Sequence, residues 1–217
     1  MTRPKNILSS THLDMLAHEK WVLVEEAFPE QFLNDLASLF HEEQSLFRPA
    51  RIGAADQQKQ ESGIRGDQIL WMDPQKESHH QVHEKIHALK EELREGMRLG
   101  LDDFECHLAM YPPGAGYAEH IDQSSSRSLN TTQRVLSFVL YLNRDWSPDR
   151  GGELVLRLPE KSHVILPTWN RLVVFSSTDL PHRVEKSYSA RRSLTGWMRR
   201  CSNPFHGERP SQLPAYT

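Results

Sequence analysis

Cysteine is scarce in this sequence: Cys106 and Cys201 are the two present in 217 residues. Two are too few for a disulfide scaffold or a cysteine-rich zinc module, and they suit a reducing compartment. No charge of one sign dominates either. The 26 Lys and Arg face 29 Asp and Glu, a net charge of −3, so bulk attraction to nucleic acid or to an anionic membrane is not expected. Long apolar runs are also missing. The longest, Val135 to Leu142, spans eight residues and is interrupted by Ser137, whereas a membrane helix needs roughly 20. The opening residues MTRPKNILSSTHLDMLAHEK are polar and charged and hold no apolar stretch. They predict neither a signal peptide nor a membrane anchor, and a cytoplasmic location.

Histidine is what the sequence has in quantity. Its 12 histidines outnumber its 11 glycines, and histidine is the commonest metal ligand. The count invites a metal hypothesis without locating a site. The chain length predicts a single domain, long enough to bury a core without staples.

Periodicity divides the chain. Residues 29–47 place Phe32, Leu33, Leu36, Leu39 and Phe40 at helical spacing, and residues 78–98 do so with Val82, Ile86, Leu89, Leu93 and Met97. Each predicts an amphipathic helix with one apolar stripe to bury. The polar segment from Arg48 to Gly66 has no period and is long for a connection, which marks a functional lid or a disordered loop. From Phe104 onward, runs of strand length occur at 104–111, 117–122, 134–143, 153–158, 162–166, 171–176, 182–187 and 191–199. Turn residues separate them, including Pro113-Gly114, Ser124-Ser125-Ser126 and Gly151-Gly152. The expected fold is α+β: a jelly-roll core at about 101–200, braced by helical support at about 1–100. The domain is expected to span 1–203, with a frayed tail at 204–217.

Two metal motifs compete. His83-Glu84-Lys85-Ile86-His87 matches H-E-x-x-H on a predicted helix, where the two imidazoles share a face and Glu84 could serve as general base of a zinc protease. The continuation HALKEELREG supplies neither the further Gly nor the further His of the extended motif. A solvated helix face is the plainer reading. The second motif is His120-Ile121-Asp122, with His182 as a distant third ligand. In a strand, residues i and i+2 project from one face. Two imidazoles and one carboxylate on one side of an ion leave three positions open, the geometry of non-haem Fe(II) oxygenases. Taken alone, H-x-D fits a polar turn equally well.

Context favours the second motif. Arg191 follows His182 nine residues later and can present a planar fork to a carboxylate. Tyr141 could add a hydroxyl to the same anion. Open metal positions beside a carboxylate anchor are what a chelating 2-oxo acid requires.

Seven blocks in order then carry a resemblance. They are Ile64-Arg65-Gly66-Asp67-Gln68-Ile69-Leu70-Trp71, Tyr111-Pro112, Gly116-Tyr117, His120-Ile121-Asp122, Tyr141 to Trp146, Gly151-Gly152, and Pro181-His182-Arg183-Val184 running on to Arg191 through Trp197. Over about Ile64 to Trp197 the chain resembles the prolyl 4-hydroxylase branch of the Fe(II)/2-oxoglutarate dioxygenases. It looks most like the oxygen-sensing prolyl hydroxylases and their bacterial relatives.

The resemblance implies a double-stranded β-helix fold in which His120, Asp122 and His182 hold Fe(II). Arg191 would pair with the far carboxylate of 2-oxoglutarate, Tyr141 would hydrogen-bond it, and Tyr111 would sit near its metal-bound end. Thr195 and Trp197 match the family pocket and share strand parity with Arg191, which favours Arg191 over its neighbour Arg192 as the anchor. Arg65 and Asp67 match substrate-binding positions, and the 48–66 segment matches a mobile finger. The implied reaction consumes O2, with ascorbate as reductant, and hydroxylates C4 of a prolyl residue in a protein while releasing succinate and CO2. The animal relatives act on a transcription factor and a bacterial relative on elongation factor Tu, which makes elongation factor Tu the substrate expected by resemblance. A monomer is expected, with no nucleic-acid or membrane partner. The alternatives are an oxygenase of the same superfamily acting on another residue or on nucleic acid, and, more distantly, the zinc protease at 83–87. The ten histidines other than His120 and His182 are read as structural or solvent-facing.

Overall fold

The computed structural model describes residues 6–50, 64–122 and 132–201. The expected tail, the serine turn at 124–126 and most of the 48–66 segment lie outside the described residues.

The chain opens with helix α1 (Ser10–Glu19), which the sequence reading did not anticipate. Its apolar stripe is thin, with Leu16 as its buried residue, and its start is set by a capping box instead. The Ser9 side chain accepts from the His12 amide at 3.2 Å, while the His12 ring accepts from the Ser9 amide at 3.2 Å. Strand β1 (Trp21–Val24) follows, then α2 (Glu30–Glu42), β2 (Arg48–Pro49), β3 (Gln68–Trp71) and α3 (His80–Met97). The first hundred residues are therefore not purely helical support. β1 to β3 have four residues or fewer and lie outside the block of turn-separated runs that begins at Phe104.

Eight strands complete the chain: β4 (Asp103–Tyr111), β5 (Tyr117–His120), β6 (Gln133–Tyr141), β7 (Leu154–Arg157), β8 (Ser162–Ile165), β9 (Leu172–Ser176), β10 (His182–Val184) and β11 (Arg191–Arg200). They match the eight expected runs, although β5 and β6 each stop two residues early and β10 three. Two antiparallel sheets result. The larger has the order β1-β9-β6-β11-β4-β3-β2, and the smaller β5-β10-β7-β8. Together they form the double-stranded β-helix.

The pleat of the large sheet assigns its residues to two different jobs. On one face, Leu108, Phe138, Leu140, Val174, Leu194 and Met198 join the apolar stripes of α2 and α3 in the main core. On the other, His107, Ala109 and Tyr111 of β4, Ser137 and Val139 of β6, and Thr195 and Trp197 of β11 line a cavity facing the small sheet. The helices thus support the site from behind. Asn170 ties the layers together: its side chain accepts from the Phe28 amide at 2.9 Å and donates to the Phe28 carbonyl at 2.8 Å. Glu92 of α3 similarly accepts the amides of Ile7 and Leu8 at 3.1 and 2.9 Å, fixing the chain just before α1.

Gly196, in the middle of β11, stands where its neighbours leave no room for a Cβ. A Cβ there would lie 2.3 Å from the Glu105 carbonyl oxygen and 2.6 Å from the Phe138 ring. Backbone cannot yield to that degree. Gly196→Ala is expected to destabilise the protein by about 2 kcal/mol, measured as a lower Tm in thermal unfolding, through this steric conflict, whereas Gly114→Ala, at φ 92° with no atom within 4 Å of its Cβ position, would be opposed by backbone strain alone.

Candidate functional site

The cavity between the sheets brings together His120, Asp122 and His182, whose ligand atoms all lie within 4.8 Å of one another. His120 and His182 face each other across β5 and β10. Their Nε2 atoms each approach an Asp122 carboxylate oxygen at 3.5 Å. The other ring nitrogens are engaged by backbone. His120 Nδ1 lies 2.8 Å from the Ala118 carbonyl and His182 Nδ1 3.1 Å from the Leu180 carbonyl. Those contacts require a proton on Nδ1, which leaves the Nε2 lone pairs free for an ion.

Strand parity does not place Asp122, contrary to the sequence expectation. The residue sits in a bend beyond the end of β5. Its carboxylate is held from the opposite sheet, where Ser137 of β6 donates to Oδ2 at 2.6 Å and is itself in contact with Ser177 at 2.8 Å. Arg134 also donates to the Asp122 main-chain carbonyl at 3.3 Å. Burial would raise the Asp122 carboxyl pKa, but His120, His182 and Ser137 together hold it below the usual carboxylate range. Burial lowers the His182 pKa and so favours its neutral, ligating form.

Farther along β11, Arg191 is 2 % exposed. Its Nε donates to the Gly152 carbonyl at 2.8 Å, and its guanidinium carbon lies 4.9 Å from the Tyr111 ring and 5.1 Å from the Tyr141 ring. Gly152, at φ 72°, brings its backbone close enough for this bond, and a Cβ would lie 3.1 Å from Arg191 Cδ. The Gly151-Gly152 pair is therefore more than a turn. Among the described residues no carboxylate pairs with Arg191. The Tyr141 hydroxyl beside it is buried with no partner in ordinary hydrogen-bond geometry. A buried cation without a counterion is costly, and a carboxylate entering here would meet a guanidinium and a phenol together. Arg192 points to the other face, with its guanidinium carbon 5.4 Å from the Phe40 ring of α2.

The remaining expected residues also reach the cavity. Arg65 and Asp67 form a two-pronged ion pair at 2.7 and 3.0 Å, and Arg65 lies over the Tyr117 ring at 4.9 Å. Trp197 is nearly buried and carries the Arg134 guanidinium 3.6 Å above its ring. The Thr195 hydroxyl contacts that of Ser193 at 3.2 Å.

Several cavity residues had not been expected. Tyr117 stacks on His120 with ring centroids 3.7 Å apart. Ser137 looked like an interruption in an apolar run, yet its parity with Val139 and Tyr141 on β6 was a usable signal. His107, read with the structural or solvent-facing histidines, is buried and lines the cavity, and it shares parity with Tyr111.

The H-E-x-x-H helix forms no metal group among the described residues. His83 Nε2 bonds the Met72 carbonyl at 3.0 Å, whereas Glu84 and His87 are exposed, with His87 next to Glu91 on the same helix.

The fold and the three-ligand cluster define a metal-dependent oxygenase of the double-stranded β-helix type. The sequence profile of the 2OG-Fe(II) oxygenase superfamily matches residues 106–199. A prolyl-4-hydroxylase from Pseudomonas putida is 35% identical with a TM-score of 0.76, over 88% of this chain and 98% of that one. A prolyl hydroxylase from Trichoplax adhaerens, solved with a hypoxia inducible factor peptide, is 25% identical with a TM-score of 0.75, over 87% and 88%. Mouse prolyl hydroxylase EGLN3 is 31% identical over 144 residues, 62% of this chain, and the match spans 58% of that protein's length. The chain belongs to the prolyl hydroxylase family of 2OG-Fe(II) oxygenases.

Removing the Ser137 hydroxyl frees Asp122 without deleting a ligand. Ser137→Ala is expected to weaken binding of a divalent metal about 10-fold, read by titration calorimetry with Zn(II), while Asp122→Ala should leave no measurable site.

Proposed function

We propose that the protein is an Fe(II)- and 2-oxoglutarate-dependent dioxygenase that hydroxylates C4 of a prolyl residue in a protein substrate. The observation carrying this reading is Arg191: a buried guanidinium with no acid partner among the described residues, in the same cavity as a His-Asp-His cluster. Membership of the family implies the metal and the 2-oxo acid, and the donor set suits both.

His120, Asp122 and His182 would occupy one face of the ion and leave the other for exchangeable ligands. Arg191 would take the far carboxylate of 2-oxoglutarate in charge-assisted hydrogen bonds, with the Tyr141 hydroxyl donating to the same group. Tyr111, across the pocket from Tyr141, would border the metal-bound end, and Thr195 and Trp197 would close the cavity wall. When bound, iron and 2-oxoglutarate supply the oxidation, in which O2 is reduced as 2-oxoglutarate loses CO2 to give succinate and one oxygen atom goes to the substrate. Arg65, locked by Asp67, would present its outer edge to an incoming peptide. Ascorbate would serve as a reductant for the iron.

The Trichoplax relative was solved in complex with a peptide fragment of the hypoxia inducible factor oxygen degradation domain, which supports a peptide as acceptor. Elongation factor Tu is the first substrate to test, by resemblance to the bacterial relatives. We place the enzyme in the cytoplasm as a monomer with one catalytic domain over 1–203. Among the described residues no helix is long and apolar enough to cross a membrane.

Purified protein supplied with Fe(II) and 2-oxoglutarate is expected to form succinate, and His120→Ala to abolish this. Arg191→Gln should raise KM for 2-oxoglutarate about 10- to 100-fold, the cost of losing a hydrogen-bonded charge. Mass spectrometry of an enzyme-treated cell extract should show one added oxygen on a proline of a protein. Oxygen added to another residue or to nucleic acid would overturn the substrate assignment.

A further inference from the structure

Among the described residues, His107 is the one cavity histidine that the metal cluster does not use. It lies in β4, opposite Thr195 of β11 on one side and Trp71 of β3 on the other. It is 1 % exposed, and its Nδ1 is buried with no hydrogen-bond partner. Its ring sits between two indoles, 4.9 Å from Trp71 and 5.5 Å from Trp197 by centroid. Burial, helped by the nearby charges of Arg65 and Arg134, keeps this imidazole neutral. A neutral imidazole always carries one N–H and one lone pair. Buried polar groups without partners are rare in proteins, because each forfeits its hydrogen bond to water.

A plain packing role does not call for histidine here. The neighbours on the same face of β4 are Glu105, whose carboxylate is taken by Arg134 and Arg199, and Ala109 and Tyr111, so an apolar side chain of similar size would fill the space between two indoles without stranding a nitrogen. The cavity has two polar ends. Arg191 and Tyr141 provide for a carboxylate at one. His107 belongs to the other, where Trp197, Ser137 and Asp122 cluster, since Trp197 pairs with Ser137 in the sheet and Ser137 bonds Asp122.

We propose that His107 is a positioning residue of this site, and that its unpartnered ring nitrogen hydrogen-bonds an oxygen brought to the metal end of the cavity. The proposal rests on the oxygenase reading. Two ligands could deliver that oxygen: the metal-binding end of 2-oxoglutarate, or the amide of the prolyl acceptor. Arg191 and Tyr141 sit at the far end, and Tyr111, which would border the metal-bound end of 2-oxoglutarate, reaches it from beside Arg191.

Histidine-selective 15N NMR of the full chain separates these sources. Zn(II) is added first, then 2-oxoglutarate, then N-acetyl-L-prolinamide, with the His107 signals assigned by their loss in His107→Gln. Zn(II) should move the His120 and His182 signals. The His107 nitrogens should then shift at the 2-oxoglutarate step or at the prolinamide step, and that step identifies the oxygen. Affinity for the responsible ligand should fall about 5-fold in His107→Met, which keeps bulk without a hydrogen bond. It should return to within about 2-fold of the wild type in His107→Gln, which can hydrogen-bond again. If His120 and His182 respond to Zn(II) while His107 moves at neither later step, the proposal is wrong and the metal site stands. Equal weakening in the Met and Gln variants would reduce His107 to a packing residue. Silence of His120 and His182 on adding Zn(II) would overturn the metal reading, and this proposal with it.

Discussion

Strand β11 is paired on both sides, with β4 and with β6, so each of its residues is committed to a face. Leu194 and Met198 belong to the core against the helices, and Arg191, Thr195 and Trp197 to the cavity. A slip of one residue would exchange the two sets, placing a guanidinium among leucines and methionine in the cavity. The close approach of Gly196 to Glu105 and Phe138 allows this register and no bulkier residue in it. Because β4 and β6 are aligned through β11, the spacing between Tyr111, Tyr141 and Arg191 follows from the same register. The site is accurate because the sheet has no freedom to be otherwise.

The small sheet contributes differently. It offers two histidines from short strands, with rings steered by main-chain carbonyls. Asp122, beyond its strand, depends on Ser137 across the cavity. The three candidate ligands are thus oriented by partners from both sheets, and the distance between the sheets becomes part of the metal geometry. That distance is set in turn by the apolar contacts of Val139, Phe175, Leu154 and Leu156, which fill the space beside the cavity.

Much of this was legible in the sequence, for identifiable reasons. α2 and α3 carry full apolar stripes, and the eight later strands are separated by turn residues, so both blocks could be delimited. His120, Asp122 and His182 were found by spacing together with Arg191 and Tyr141, since H-x-D alone fits many turns. The failures have equally specific causes. α1 and β1 are short, and a capping box is the main signal for the first. The proximity of His120 and Asp122 was expected from strand alternation, but the strand ends before Asp122 and a tertiary hydrogen bond does the work. His107 was passed over because a lone histidine in an apolar strand carries no local sign of what lies opposite. The denser histidine cluster at and just before the start of α3 holds the better-known motif and, among the described residues, no metal group. His79, just before α3, joins Glu43 to the Asp73 amide, at 3.1 and 2.9 Å.

The pairing of β1 with β9 bears on how the chain assembles. Trp21 faces Phe175, and the Asn170 clamp on Phe28 closes a separation of 142 residues. Both contacts join the earliest part of the chain to one of the last strands. During synthesis, β1 emerges long before the edge it will cover, so α1 and β1 must wait while the rest of the large sheet forms. Contacts this distant in sequence gain nothing until the loop is closed, which slows folding. The N-terminal segment is made first and docked late, and until it docks the β9 edge is open to any other strand that reaches it.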